Sequence, residues 1–148
     1  MSFEYLDVRK VVKCAEYKAA LDEKSKKLKK NLIESCAANP VTANSFIFSE
    51  NTNNQLTLNL PTYELTLLFK ERLVVINDVP LLKFSACDSN DLDDDDKEII
   101  SFYLGKNELV YIGEFKRNPS YGYDTESLFM DILEPTLQAL KSAKKISY

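Results

Sequence analysis

The first forty residues contain no glycine, and the first proline is Pro40. Across residues 4–38 the apolar side chains recur at roughly helical spacing. These side chains are Leu6, Val8, Val11, Val12, Ala15, Ala19, Leu21, Leu28, Leu32, Ile33 and Cys36. Pro40 disfavours the helical conformation at Asn39, so the helix should end there. The pattern predicts one long N-terminal helix that must pack against the rest of the chain.

After Pro40 the period of the apolar pattern changes from 3.6 to 2, which indicates strands. The candidate strands are "SFIFS", "QLTLNL", "TYELTLLFK", "LVVIN", "LLKFSAC", "EIISFYL" and "ELVYIGEFK". The polar "KER" between two of these segments predicts a hairpin turn. In "GKN", Gly105 and Asn107 can adopt positive φ, which predicts a second turn. The segments amount to about six to seven antiparallel strands.

A second helix is predicted near the C-terminus, where Asp124 is a suitable N-cap. Its apolar stripe comprises Leu128, Phe129, Ile132, Leu133, Leu137 and Leu140. Pro135 should kink this helix or divide it in two. The order of helix, strands and helix predicts a single α+β domain over residues 1–148, with the C-terminal helix packed on the sheet.

Several strands place adjacent apolar residues on opposite faces, as in "LTLLF", "LVVI" and "EII". Such runs indicate that both faces of the sheet are covered near its centre. Two arrangements follow. Either each helix covers one face, or both helices cover one face and a second subunit or a ligand covers the other.

The chain contains no histidine. This absence removes the usual general base, the usual partner of a nucleophilic serine or cysteine, and the commonest transition-metal ligand. Three separated cysteines without a CxxC pair predict reduced thiols and no zinc site. Glu64, Glu114, Asp124 and Cys87 remain only as generic catalytic groups with no evident partner. We therefore predict a protein that is not an enzyme and has no cofactor or bound metal.

Charged residues near the N-terminus, among them Asp7, Arg9 and Lys10, interrupt any signal-peptide core, and no apolar stretch is long enough to span a bilayer. This predicts a cytoplasmic protein with no membrane partner. Sixteen lysines, three arginines and eleven asparagines are typical of A+T-rich coding sequences, such as those of bacteria and mobile elements.

An acidic run, Asp93 to Asp96, precedes a predicted strand. Counted from Asp91, an EF-hand calcium loop would need glycine where Asp96 stands and glutamate where Phe102 stands. The run therefore fails as an EF-hand. A loop kept in water that discourages edge-to-edge strand pairing is the plainer interpretation, and weak cation or partner binding is the alternative.

A basic run lies in the predicted first helix, with five lysines in "KSKKLKK" at Lys24, Lys26, Lys27, Lys29 and Lys30. Lysines at successive positions point around a helix, and aromatic residues for base stacking are absent nearby. The run favours a solvated face or a charged protein-docking surface over nucleic-acid binding.

The loop "FKRNPSYGYD" joins the last predicted strand to the last helix. It combines Lys116, Arg117, Tyr121 and Tyr123, and arginine with tyrosine is enriched at binding hot spots. The alternative is a structural connection whose tyrosines lie on the edge of the domain. If the chain binds a partner, these four residues are the predicted site.

The profile of a small acidic α+β protein with terminal helices resembles bacterial accessory proteins such as secretion chaperones and toxin-immunity proteins, although the resemblance identifies no residue. The leading hypothesis is a non-enzymatic protein-binding accessory protein, homodimeric, that uses an apolar sheet face or the Tyr/Arg loop. The first alternative is a carrier of a small apolar ligand in a cavity lined by Phe69, Phe102, Tyr111 and Phe115. The second alternative is nucleic-acid binding through the lysine-rich helix.

Overall fold

The computed structural model describes residues 5–91, 97–113 and 120–148. Over these residues the chain forms an N-terminal helix, seven strands and a C-terminal helix, which confirms the α+β prediction. The helices are α1 (Leu6–Ala38) and α2 (Leu128–Ser142). The strands are β1 (Ile47–Glu50), β2 (Leu56–Leu60), β3 (Leu65–Ile76), β4 (Val79–Asp88), β5 (Glu98–Gly105), β6 (Leu109–Ile112) and β7 (Ser120–Gly122). Short 3₁₀ turns lie at Pro61–Tyr63 and Ser89–Asp91.

The seven strands form one antiparallel sheet in which each strand pairs with the next along the chain. The longest pair, β3 with β4, closes through a two-residue turn at Asn77 and Asp78, whose φ angles are 50° and 63°. Asparagine and aspartate tolerate this left-handed conformation, so the turn matches the right-handed twist of its strands. The sheet is therefore a simple meander.

Both helices pack on the same face of the sheet, which we call the inner face. Alternate residues of neighbouring strands share this face, as the pairing of Leu58 with Leu67 and of Phe84 with Phe102 shows. Together with Leu28 and Leu32 of α1 and the apolar stripe of α2, they form one buried core. Both helices therefore cover one face, as in the second predicted arrangement, and a second subunit or ligand on the other face stays a prediction.

The opposite, outer face of the sheet carries both polar and apolar side chains. The strand register places on it Thr57, Asn59, Thr66, Lys70, Arg72, Lys83, Ser85 and Glu98. The same register places on it Leu68, Val74, Leu81, Cys87, Tyr103 and Tyr111, of which Leu81, Cys87 and Tyr111 are buried. The outer face is therefore mixed in polarity, and both helices lie on the other side of the sheet.

The turn predicted at "KER" is wrong, because β3 continues without interruption through Lys70, Glu71 and Arg72. The register pairs Glu71 with Phe84 on the inner face, beneath α1. There the Glu71 carboxylate accepts a hydrogen bond from Lys29 of α1, and this partner makes a charged inner-face residue tolerable. Three charged residues whose polarity is typical of a turn thus lie within the longest strand.

Three further details differ from the sequence prediction. Helix α2 begins at Leu128 instead of near Asp124, and it runs through Pro135 without dividing. In the β5–β6 turn the positive φ occurs at Glu108 (68°) and not at Gly105 or Asn107. Asn107 instead accepts a hydrogen bond from the Leu109 N–H through its side-chain oxygen, which closes the turn locally.

Candidate functional site

Helix α1 has two halves that differ in their surroundings. Residues 21–38 contribute Leu21, Leu28, Leu32 and Cys36 to the core, at spacings that align them along one side of the helix. Residues 6–20, which we call the exposed segment, are all exposed except for half-buried Cys14 and Tyr17. The described part of the domain therefore leaves this segment almost uncovered.

The exposed segment carries an apolar stripe formed by Val8, Val12, Ala15 and Ala19. Spacings of four, three and four residues place these side chains on one side of a helix. Val8 is 59% exposed and Val12 is 56% exposed, and Val11 at the border of the stripe is 69% exposed. A contiguous apolar strip of this kind is typical of interaction surfaces, whereas isolated exposed valines are ordinary.

The apolar stripe faces away from the domain. At 100° per residue, its centre lies about 140° around the helix axis from the buried stripe of residues 21–36. Arg9 and Glu16 follow Val8 and Ala15 in sequence, so both lie along the same border of the stripe. Helical spacing separates these residues from the stripe of residues 21–36, but it does not show which stripe the domain buries.

Two contacts lie near the C-terminal end of the exposed segment, one with the β5–β6 turn and one along α1. The ammonium of Lys106, in the β5–β6 turn, lies 4.2 Å from the centre of the Tyr17 ring. Lys18 pairs with Asp22 at 2.9 Å along the helix. These contacts favour continuation of the helix beyond the domain, because a cation over an aromatic ring and an (i, i+4) ion pair each add modest stability.

A buried polar cluster fixes the other half of α1 on the sheet. Lys29 donates to Glu71 Oε1 at 2.8 Å and to the Asn54 carbonyl at 2.7 Å, and Ser25 donates to Glu71 Oε2 at 3.1 Å. The Lys29 side chain is only 6% exposed. Because each of these side chains is bonded to another group of the same chain, the cluster acts as a structural clamp.

Most of the lysine run is neutralised by carboxylates of the same chain. Lys29 pairs with Glu71, Lys24 with Glu108 at 3.0 Å, Lys26 with Glu23 at 3.2 Å and Lys30 with Glu34 at 4.0 Å. Phosphate binding requires lysines whose charge is available to release counterions from the nucleic acid. These pairs weaken the case for a nucleic-acid surface on α1.

The predicted Tyr/Arg loop is only partly described. Tyr123 is 9% exposed, its ring lies in the core, and its N–H donates to the Glu108 carbonyl. Tyr121 lies on β7, half-buried against the same core. Lys116 and Arg117 lie outside the described residues, as does the acidic run Asp93–Asp96. The two tyrosines therefore contribute to packing, and a binding role for this loop stays a prediction.

The residues predicted to line a ligand cavity are not grouped around one space. Phe69 and Phe102 have no accessible surface, and their ring centres lie 5.9 Å apart. Tyr111 points to the outer face, where its hydroxyl accepts a hydrogen bond from Asn107. Phe115 lies outside the described residues. The two phenylalanine rings fill the core instead of lining a cavity.

A groove lies elsewhere, between α2, the C-terminal residues and the turn before β3. Its volume is about 420 Å³. It is lined by Phe46, Tyr63, Glu134, Leu137, Gln138, Ile146 and Tyr148. Sequence reasoning did not anticipate this groove, because its lining residues come from four separate parts of the chain.

Comparison with protein-family models, with curated proteins and with solved structures finds no match to this chain. Among the described residues, no helix is both long enough and apolar enough to cross a membrane. The exposed segment of α1 is the feature that packing within the described fold leaves unexplained.

Proposed function

We propose that this chain is a non-enzymatic protein-binding protein and that the apolar stripe of α1 is its docking surface. The observation that carries the proposal is the exposure of Val8, Val11 and Val12 on a helix whose second half is part of the core. Burying such side chains against another protein would remove apolar surface from water, which is the main driving force for protein association.

The architecture suits a helix that docks into a groove. The Lys29–Glu71 clamp and the buried residues of α1 hold the helix on the sheet, so the exposed segment is presented by a rigid base. An amphipathic helix recognised through residues at i, i+4 and i+7 is a common mode of protein binding. We infer an accessory role of the chaperone-like or immunity-like kind.

The proposal is tested by site-specific photo-crosslinking in the native host. A benzophenone amino acid at Val12 should yield a protein adduct, because Val12 lies at the centre of the stripe. The control is the same substitution at Lys10, which is also exposed but points to the opposite side of the helix. Absence of an adduct at Val12, or equal adducts at both positions, would refute a docking role for the stripe.

A small-ligand carrier remains a second candidate because of the groove beside α2. Aromatic and aliphatic side chains with a few polar groups, here Glu134 and Gln138, are typical of ligand pockets. This candidate predicts that filling the groove by Leu137→Trp abolishes the binding of an apolar fluorescent dye, with Met130→Trp as the control outside the groove. Dye binding that survives Leu137→Trp would rule out this groove as a ligand site.

A further inference from the structure

We propose that the apolar stripe is occupied by a second copy of this chain, with the two exposed segments packed antiparallel. This inference rests on the proposed function, since it names the partner of the same surface. It requires that the stripe be complementary to itself about a two-fold axis, as every symmetric dimer interface is. The order of residues along the stripe meets that requirement.

The spacing of the stripe is symmetric about a point between Lys13 and Cys14. When two such helices run antiparallel about this point, Val8 lies opposite Ala19 of the second copy, and Val12 lies opposite Ala15. Each layer then contains one valine and one alanine. A large side chain facing a small one lets two helices interdigitate closely, as in coiled-coil packing.

The charges beside the stripe complement each other in this arrangement. Arg9 and Glu16 lie on the same border, and a two-fold axis brings that border of one helix against the same border of the other. Arg9 then lies near Glu16 of the second copy, and the symmetry makes this ion pair twice. Opposite charges at such flanking positions set the orientation of paired helices.

A parallel pair would lose both of these features. Parallel helices that met along the stripe would place identical positions together, so that two layers of paired valines would be followed by two layers of paired alanines. The border that carries Arg9 and Glu16 would then face the border that carries Val11 of the second copy, and the Arg9–Glu16 ion pair would not form.

Sedimentation equilibrium of the full chain tests the association. An interface made by two short helix segments is small, so the expected dimer is weak and should be measured up to about 500 µM. We expect the mass to rise from 16.9 kDa towards twice that value with concentration. Val12→Asp should keep the chain at the monomer mass. Val41→Asp, at a site 82% exposed outside α1, should leave the dimer unchanged.

Disulfide trapping tests the register, in a Cys14→Ser background. A chain carrying Val12→Cys mixed with a chain carrying Ala15→Cys should form a disulfide-linked heterodimer. Each chain alone should form far less covalent dimer. A parallel pair would give the reverse, since identical positions then face each other. Efficient trapping of Val12→Cys with itself would therefore overturn the antiparallel proposal.

The docking role of the stripe and its occupation by a second copy can be refuted separately. If the chain stays monomeric at about 500 µM while Val12 crosslinks to a different protein, the second copy is wrong and the docking surface stands. If the mass doubles and Val12→Asp does not reduce it, the chain dimerises elsewhere and this inference is wrong. Circular dichroism of each variant shows whether the domain has stayed folded, so that loss of the dimer is not mistaken for unfolding.

Discussion

The two halves of α1 belong to one helix yet have opposite relations to the domain. In residues 21–38, Leu21, Leu28 and Leu32 have no accessible surface. In the exposed segment, Val8, Val11 and Val12 each keep more than half of theirs. The same class of side chain stabilises the domain in one half and remains available to a partner in the other. Apolar composition alone therefore does not identify a core.

The exposed segment is held helical by the half of α1 that lies in the core. An isolated helix of about fifteen residues is marginal in water, because nucleation is costly. Residues 6–20 extend a helix that the core has already nucleated, and the contact of Lys106 with Tyr17 supports the junction. The exposed segment is thus held in a binding-competent form at little cost in conformational entropy on docking.

The largest expected effect is a loss of core packing in the second half of α1. Leu32→Ala should lower the free energy of unfolding by about 2–5 kcal/mol, because it removes buried apolar surface and leaves a cavity. Val12→Ala should change it by less than about 0.5 kcal/mol in dilute monomer, since Val12 is exposed there. Urea denaturation at low protein concentration measures both. Similar losses for the two variants would contradict the distinction between the halves.

A smaller loss in the free energy of unfolding is expected when the Lys29–Glu71 clamp is broken. Glu71→Ala should lower the free energy of unfolding by about 2 kcal/mol, because it leaves the Lys29 ammonium buried without its carboxylate. Glu16→Ala, on the exposed segment, serves as the matched control and should have almost no effect in the monomer. Lys29→Met combined with Glu71→Leu should recover most of the loss. No recovery in the double variant would mean that the loss does not arise from the unpaired charge.

The smallest effect concerns thiol reactivity in the two halves. Burial raises the pKa of the Cys36 thiol, despite an opposing hydrogen bond with Thr42, and so reduces its reactive thiolate at neutral pH. Cys14 is half-buried on the exposed segment. We expect a thiol reagent to modify Cys36 at least about tenfold more slowly than Cys14 in the folded chain. Mass spectrometry of timed samples measures the two modification rates. Equal rates for Cys36 and Cys14 would contradict the burial of Cys36.

Much of the fold followed from patterns in the sequence. Thirty-five residues without glycine or proline predicted α1, and alternation in "QLTLNL" predicted the burial of Leu56, Leu58 and Leu60. These predictions succeeded because period and composition act locally. Pro135 was expected to kink α2 or divide it in two, and the helix is not divided, since its apolar stripe packs into the core on both sides of the proline.

What the sequence did not reveal depends on contacts between distant residues. Glu71 looked like part of a turn because its partner, Lys29, lies 42 positions earlier in the chain. The sequence could not show which of the two apolar stripes of α1 is buried, since that depends on which one packs against the sheet. The groove beside α2 was missed for the same reason. Sites assembled from separate segments leave little local signal.

Hydrogen–deuterium exchange at two protein concentrations tests the central claim most directly. We predict that amides of residues 8–19 exchange more slowly at about 500 µM than at about 1 µM, because a second copy covers them only at the higher concentration. Amides of residues 28–38 should exchange equally slowly at both concentrations, since their cover comes from the same chain. Equal exchange of residues 8–19 at the two concentrations would contradict the proposal, because it would mean that no second copy covers the exposed segment.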